Sequence, residues 1–264
     1  MSDARVSFDR PALSVIIPCL NDARLLERCL LSLRAQSIAP AEVIVVDNGS
    51  TDDSAAVARR HGARVVDEPR RGITWATMAG FDAAEGDILM RIDADVELAP
   101  DYLERVRGIW RAAEASPGRR VVGVTGSARF DIPGVAGAIA SSLYLGAYFA
   151  SVGSTLGHYP LFGTNYSIRA DWWASIRDEV DLSDTYVHED MQLSFAVRAD
   201  ETIWFQRDLV VGMDDRALHG LRQLAVRFHR GFYTIVRNWR IHPPHRRLAQ
   251  RGRLGSRLQE VLSP

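Results

Sequence analysis

The sequence predicts an α/β fold, with a mostly parallel central sheet flanked by helices and a C-terminal helical appendage. Three observations predict it. Apolar runs of strand length recur early in the chain, at Leu13–Pro18, Glu42–Asp47 (EVIVVD) and Asp87–Asp93 (DILMRID). Runs that are apolar at nearly every position belong to strands buried on both faces of a parallel sheet. Segments of helical period separate them, as parallel strands joined by crossovers require. The 264 residues, 47% hydrophobic and 25% charged, suffice for one large domain of this kind.

Taken in order, Leu13–Pro18 is the first strand. Asp22–Gln36 follows as a helix with Leu25, Leu26, Cys29, Leu30 and Leu33 on one face. After the strand Glu42–Asp47, Asn48-Gly49-Ser50-Thr51 is a turn, and Ser50 or Thr51 is placed to cap a helix running to about His61. Ala63–Asp67 is a short third strand and Ile73–Ala84 a third helix. Asp87–Asp93 is the fourth strand, with a helix from about Pro100 to Ala115 beyond it. Ligands of such sheets bind at the carboxyl ends of the strands.

The middle of the chain differs. Ile132 to Ile168 contains no Asp, Glu, Lys or Arg, but Pro133, five glycines before His158 and several serines dilute its apolar character. A membrane span needs about 20 mostly apolar residues, and a buried or interfacial helix is the expected reading. Residues 216–264 carry 11 Arg against the single Glu260, a balance of +10, whereas 1–215 balance at −11. That end reads as a helix over about Arg216–Arg240, with Leu218, Leu221, Leu224, Phe228 and Phe232 among its apolar residues, then a loosely structured tail beyond Pro243-Pro244. Its charge suits either a solvated helix face or an anionic partner, such as a phosphorylated substrate or a membrane surface. Cys19 and Cys29 have neither metal-ligand spacing nor a disulfide framework. The polar first residues lack the apolar core of a signal peptide, and a cytoplasmic setting, with possible association to a membrane surface, is the expectation.

The strongest chemical feature is Asp93-Ala94-Asp95 at the end of an apolar strand. Two carboxylates this close repel and call for a counter-charge, which a hard divalent cation, Mg²⁺ or Mn²⁺, supplies through oxygen ligands. Such ions take much of their shell from phosphates and water, so a diphosphate fits. Asp47, at the end of the second strand, is placed either to meet a ribose or base edge or, as an ordinary turn acid, to cap the next helix.

Residues 13–95 resemble the nucleotide-binding half of glycosyltransferase family 2, through SVIIPCLND, VIVVDNGSTDDS and DILMRIDADVEL. The resemblance implies a GT-A fold and an inverting enzyme that uses a nucleoside-diphosphate sugar. It implies that Pro18, Leu20 and Asn21 line the nucleotide pocket, that Asp47 reads the base or ribose, that Asp93 faces ribose and metal, and that Asp95 coordinates the metal. Many relatives have an Arg-Asn pair before a Gly in the third helix, where this chain has Thr77-Met78 ahead of Gly80. Arg70 or Arg71 is then the candidate for the phosphate-facing charge, Arg71 being the nearer to Gly72.

In the second half, Phe162-Gly163-Thr164-Asn165-Tyr166-Ser167-Ile168-Arg169 resembles the family's loop beneath sugar and acceptor, with Asn165 as a contact. Val187-His188-Glu189-Asp190-Met191, ahead of a helix over Gln192–Arg198, resembles the segment that carries the catalytic base, here Asp190. An ionised carboxylate at a helix N-terminus suits that role. Relatives that polymerise sugars processively carry Gln-x-x-Arg-Trp near the end. Gln223–Phe228 is one residue too long and has Phe for Trp, so a single transfer is expected, with Arg227, His229 or Arg230 toward the diphosphate. The implied layout is a GT-A domain over 1–215, its nucleotide-sugar-binding half at 13–95 and its acceptor and catalytic half at 96–215, then a basic helix and tail over 216–264. The acceptor is a glycan, a lipid-linked sugar or a small molecule; nucleic acid is not expected. A polyprenyl-phosphate acceptor, which needs no base, and a catalytically inactive nucleotide-sugar-binding module are the alternatives. Nucleotidyl transfer would call for a basic, Gly-rich loop after the first strand, unlike Cys19-Leu20-Asn21-Asp22.

Overall fold

The computed structural model describes residues 10–132, 135–181, 184, 186–214 and 221–252. Strand β1 (Leu13–Cys19) is buried along its whole length and pairs in parallel with β2 (Glu42–Asp47) and β4 (Ile88–Ile92). Strand β3 (Arg64–Asp67) continues the parallel set on the far side of β2. Helices α1 (Ala23–Arg34), α2 (Ser54–Arg60) and α3 (Ile73–Ala83) make the crossovers. This half follows the sequence pattern closely, because an uninterrupted apolar strand leaves its register and burial little freedom.

Beyond β4 the sheet becomes mixed. Two-residue β5 (Val96–Glu97), helix α4 (Tyr102–Glu114), β6 (Arg120–Phe130), β7 (Asn165–Arg169) and β8 (Glu201–Met213) complete eight strands in the order β3-β2-β1-β4-β7-β6-β8-β5. Strand β7 runs antiparallel to both β4 and β6, and β5 antiparallel to β8, while β6 and β8 are parallel. Apolar side chains cover both faces. Leu26, Cys29, Leu30, Tyr102 and Trp110 lie in the cluster on one face, and Phe81, Trp172, Leu193 and Ile203 in the cluster on the other. Trp172 belongs to α6 (Ala170–Ile176). Gly80 permits the close seating of α3 on the sheet: a Cβ there would overlap Ile16 Cγ2 and come within 3.0 Å of Val46 Cγ2.

Several local expectations are corrected. Ser50 and Thr51 do not cap α2. Its first turn is held by Asp52, whose Oδ1 accepts from the Ser54 amide at 3.0 Å, while Ser50 and Thr51 bond to Asn21. Helix α5 (Val135–Leu156) occupies the uncharged middle, and no described helix is long and apolar enough to cross a membrane. Helix α7 (Glu189–Ala196) begins three residues earlier than expected, so Glu189 and Asp190 sit in its first turn. Helix α8 (Leu221–Ile241) matches the expected basic helix. Leu218 and the expected boundary at 215/216 lie outside the described residues. Directly after Pro243 the chain is not loose: Pro244–Gln250 forms α9, with Pro at its first turn, where the missing N–H costs nothing, while the expected tail over 253–264 lies outside the described residues.

Candidate active site

A cleft of about 350 Å³ opens at the carboxyl ends of β1 and β4, lined by Pro18, Leu20, Arg71, Asp93, Asp95 and Thr164 among others. The parallel half of the sheet thus delivers residues named from three separate sequence segments to one place. Asn21 and Asp47 brace the turn beside it. Asn21 adopts a left-handed φ of 55°, which Asn tolerates better than most residues. Its Oδ1 accepts from the Thr51 amide at 2.7 Å, and Asp47 Oδ1 accepts from the Ser50 amide at 2.9 Å.

Asn48 was legible in the sequence only as a turn residue, yet it shapes the cleft. Its buried side chain donates to the carbonyls of Glu68 and Arg70, both at 2.8 Å, and accepts from the Gly72 amide at 2.8 Å. It therefore ties the 68–72 segment to the end of β2. Within that segment the two arginines diverge. Arg70 donates to both Glu68 carboxylate oxygens, at 2.8 and 2.7 Å, and lies 3.9 Å over the Trp75 ring. Arg71 lines the cleft, its guanidinium passing over Gly49, where φ is +81° and a Cβ would lie 3.4 Å from Arg71 Nε. Thr77 and Met78, the family departure, are buried in the core. The cleft contacts of α3 come instead from Ile73 and Ala76.

Arg91 is the residue that sequence reasoning missed. It stands in the middle of buried β4, 3% exposed, and a guanidinium there must be paired to persist. Its Nη1 is 2.7 Å from Asp93 Oδ1 and donates to the Gly163 carbonyl, while Nη2 is 3.5 Å from Glu189 Oε1. Burial alone would make Arg91 easier to deprotonate; the charges of Asp93 and Glu189 more than reverse that. Burial pushes the Glu189 carboxyl upward, opposed by Arg91. The sign of a charged residue inside an otherwise apolar strand was available in DILMRID, but its partners were not.

Asp190 joins the same cluster. Its Oδ2 accepts from the Gly163 amide at 2.7 Å and from the Tyr148 hydroxyl at 3.2 Å, and its Oδ1 from the Met191 amide at 2.8 Å. Gly163 lies between the cleft-lining residues Phe162 and Thr164, so Asp190 sits directly behind the cleft wall. A side chain on Gly163 would crowd it, since a Cβ there would be 3.1 Å from Asp190 Oδ2. Asn165 lies deeper. Its amide donates to the carbonyls of Ser127 and Leu209 at 2.8 and 2.9 Å and accepts from the Tyr102 hydroxyl, so its hydrogen-bonding groups are committed to joining β6, β7, β8 and α4. On α8, Arg230 donates to the carbonyls of Tyr186 and Val187, and His229 meets the Tyr186 hydroxyl at 2.8 Å. The Arg227 side chain lies outside the described residues.

The far end of α7 is held by α9. Buried Arg247 donates to the carbonyls of Ser194, Phe195 and Val197 at 3.1, 2.8 and 2.9 Å, and buried Arg251 to those of Arg198 and Glu201. A guanidinium placed on the carbonyls at a helix C-terminus satisfies the acceptors that the helix itself leaves open. His158 closes this cluster. Its Nδ1 lies 2.7 Å from the Tyr159 carbonyl, and its Nε2 3.0 Å from Arg247 Nη2, which fixes the neutral tautomer with hydrogen on Nδ1. Burial, together with Arg251 and Arg247, pushes its pKa down to about 3. Unfolded His158 takes up a proton near its ordinary value of 6.5 and the folded residue does not. Stability is therefore expected to be full above pH 6.5 and to fall as pH drops from there toward about 3. His158→Gln is expected to flatten that part of the curve, checked by denaturant unfolding at stepped pH.

Among the described residues, no group of three or more His, Cys, Asp or Glu side chains converges as a ready metal cage. Asp93 and Asp95 at the cleft wall suit instead a Mg²⁺ or Mn²⁺ ion that shares its shell with phosphate and water.

A mixed sheet with helices on both faces, and acids collected where its parallel half ends, defines the GT-A glycosyltransferase fold. A glucosyl-3-phosphoglycerate synthase from Mycobacterium tuberculosis, in complex with Mn²⁺, UDP-glucose and phosphoglyceric acid, matches with a TM-score of 0.59 at 22% identity over 93% of this chain and 81% of that one. A mannosyltransferase from Pyrobaculum calidifontis, in complex with GDP-mannose and Mn²⁺, matches with a TM-score of 0.59 at 22% identity over 96% and 79%. Residues 14–129 match the model of glycosyl transferase family 2. An uncharacterized glycosyltransferase of Mycobacterium tuberculosis is 44% identical over 110 residues, 41% of this chain and 49% of its own length. The chondroitin synthase of Pasteurella multocida is 32% identical over 99 residues, 36% of this chain and 10% of its own. The chain thus spans about half the length of the first of these curated relatives. Asn165, Glu189 and Asp190 lie beyond the matched family segment.

Proposed function

We propose that the chain is a glycosyltransferase that moves one sugar from a nucleoside-diphosphate sugar to an acceptor hydroxyl, with inversion at the anomeric carbon and without processive polymerisation. The observation that carries this reading is the meeting of Arg71, Asp93 and Asp95 in one cleft, with Asp190 bonded to Gly163 in its wall. Pro18 and Leu20 hold the nucleoside, with Asn21 and Asp47 shaping the turn around it. Arg71 meets the diphosphate, a role for which a rigid guanidinium is suited. Asp95, helped by Asp93, would hold a divalent cation, which when bound neutralises charge on the leaving diphosphate. The complexes of the two similar structures, both with Mn²⁺ and a nucleotide-sugar, support that assignment.

Asp190 takes the proton from the acceptor hydroxyl as its oxygen bonds to the anomeric carbon and the bond to the diphosphate breaks. Arg91 positions this group by fixing Glu189 beside it and Gly163 in front of it. Asn165 acts from below as a positioning residue for the loop and β7. The acceptor is a glycan, a lipid-linked sugar or a small molecule.

Calorimetric titration with UDP-, GDP- and TDP-sugars, with and without Mn²⁺, tests the reading. One donor is expected to bind in a metal-dependent manner, and Asp95→Ala is expected to weaken that binding at least about tenfold. Binding of no member of the panel, or binding indifferent to both metal and Asp95, would remove the assignment.

A further inference from the structure

We propose that the exposed aromatic row of α8 is a docking surface for an anionic lipid membrane. The inward side of this helix is accounted for. Thr234 and Asn238 are buried, and Ile235 and Trp239 pack against Val152, Leu156, Met191 and Phe195. Toward the N-terminus of the helix, along the row that leads into Ile235 and Trp239, Phe228 and Phe232 stand 61% and 66% exposed, one helical turn apart. Two phenylalanines this open on one helix face form a contiguous apolar strip, which a surface without a partner seldom keeps. The row Phe228, Phe232, Val236 continues at the same spacing to exposed Arg240.

Charge decides between the occupants. Residues 216–259 contain no Asp or Glu, and exposed Arg246 and His245 extend the basic surface onto α9. Against a second copy of itself this face would set arginine opposite arginine, which disfavours a two-fold contact. An anionic bilayer accepts both parts: the aromatic rings enter the headgroup boundary and the arginines meet lipid phosphate. The helix is also well placed, because Arg230 and Thr234 bond to residues 186–188, the lead into α7 and Asp190. A bilayer on α8 would lie beside the entrance that an acceptor uses. This last consequence, a membrane-carried acceptor, rests on the proposed sugar transfer, whereas the docking itself does not.

The test is cosedimentation of the full 264-residue chain with vesicles of phosphatidylcholine, alone or with about one third phosphatidylglycerol. Binding is expected to be about tenfold or more stronger on the anionic vesicles, to fall about tenfold in Phe228→Ser/Phe232→Ser, and to fall in Arg240→Glu. Melting of both variants, followed by circular dichroism, is expected to match the parent, because the substituted side chains are exposed; if the double variant melts early, Arg240→Glu decides. Absence of binding to either vesicle, or equal binding by the variants, overturns the proposal. So does a dimer, detected by light scattering, that the double substitution splits. Sedimentation is scored without donor, and nucleotide-sugar binding is measured separately, so failure of docking and failure of the sugar-transfer reading remain distinct.

Discussion

Asp190→Asn is expected to lower the rate of sugar transfer by about 10²–10⁴-fold, the usual contribution of a positioned general base, while the nucleotide-sugar binds as before. The asparagine keeps the shape of the side chain and can still accept from the Gly163 amide, the 2.7 Å contact that fixes the group behind the cleft wall. What it cannot do is take the acceptor's proton. Separate measurement of donor affinity and single-turnover rate checks this. A variant that transfers sugar nearly as fast as the parent would mean that the acceptor arrives already ionised, as a polyprenyl phosphate does, and would end the base assignment.

Arg91→Met is expected to destabilise the fold by about 3–5 kcal/mol, the cost of removing one partner from a buried ionic cluster. Methionine fills much the same volume, so the loss is electrostatic rather than steric. Asp93 and Glu189 would each be left without the cation that lies 2.7 and 3.5 Å from them. For a domain of this size the melting temperature should fall by about 6–20 °C. Urea unfolding of the parent, Arg91→Met and Arg91→Met/Glu189→Gln would check it, and the double variant should recover part of the loss by removing one orphaned charge. If Arg91→Met unfolds with the parent's midpoint, the cluster is not holding this wall of the cleft.

The first half of the fold was legible because its determinants are local. β1, β2 and β4 are uninterrupted apolar runs, and the acids that follow β4 must surface where the strand ends. The residues that were not legible depend on distant partners. Arg91 meets Gly163 across 72 positions, so its charge could be noticed in the sequence but not assigned. Asn165 sits in a small-residue loop that reads like a ligand contact, yet its amide reaches 38 and 44 positions away to join strands. Arg70 and Arg71 are told apart by Glu68, which bonds Arg70, while Arg71 lines the cleft. Helix α9 escaped notice for another reason. It is anchored less by an apolar stripe than by two guanidiniums on backbone carbonyls, and hydrophobic periodicity carries no trace of such bonds.

That anchoring bears on the order in which the chain can be completed during synthesis. The carbonyls that Arg247 satisfies at the end of α7 precede it by 50 to 53 positions. Chains emerge from the ribosome N-terminus first, at about 5–20 residues per second. The matched family segment over 14–129 is therefore outside and free to settle its parallel strands well before its other half can lock. Until Arg247 and Arg251 arrive, the helix bearing Asp190 has open acceptors at one end. The half proposed to bind and the half proposed to react are thus completed at different moments, and Arg247 and Arg251 close the second of them.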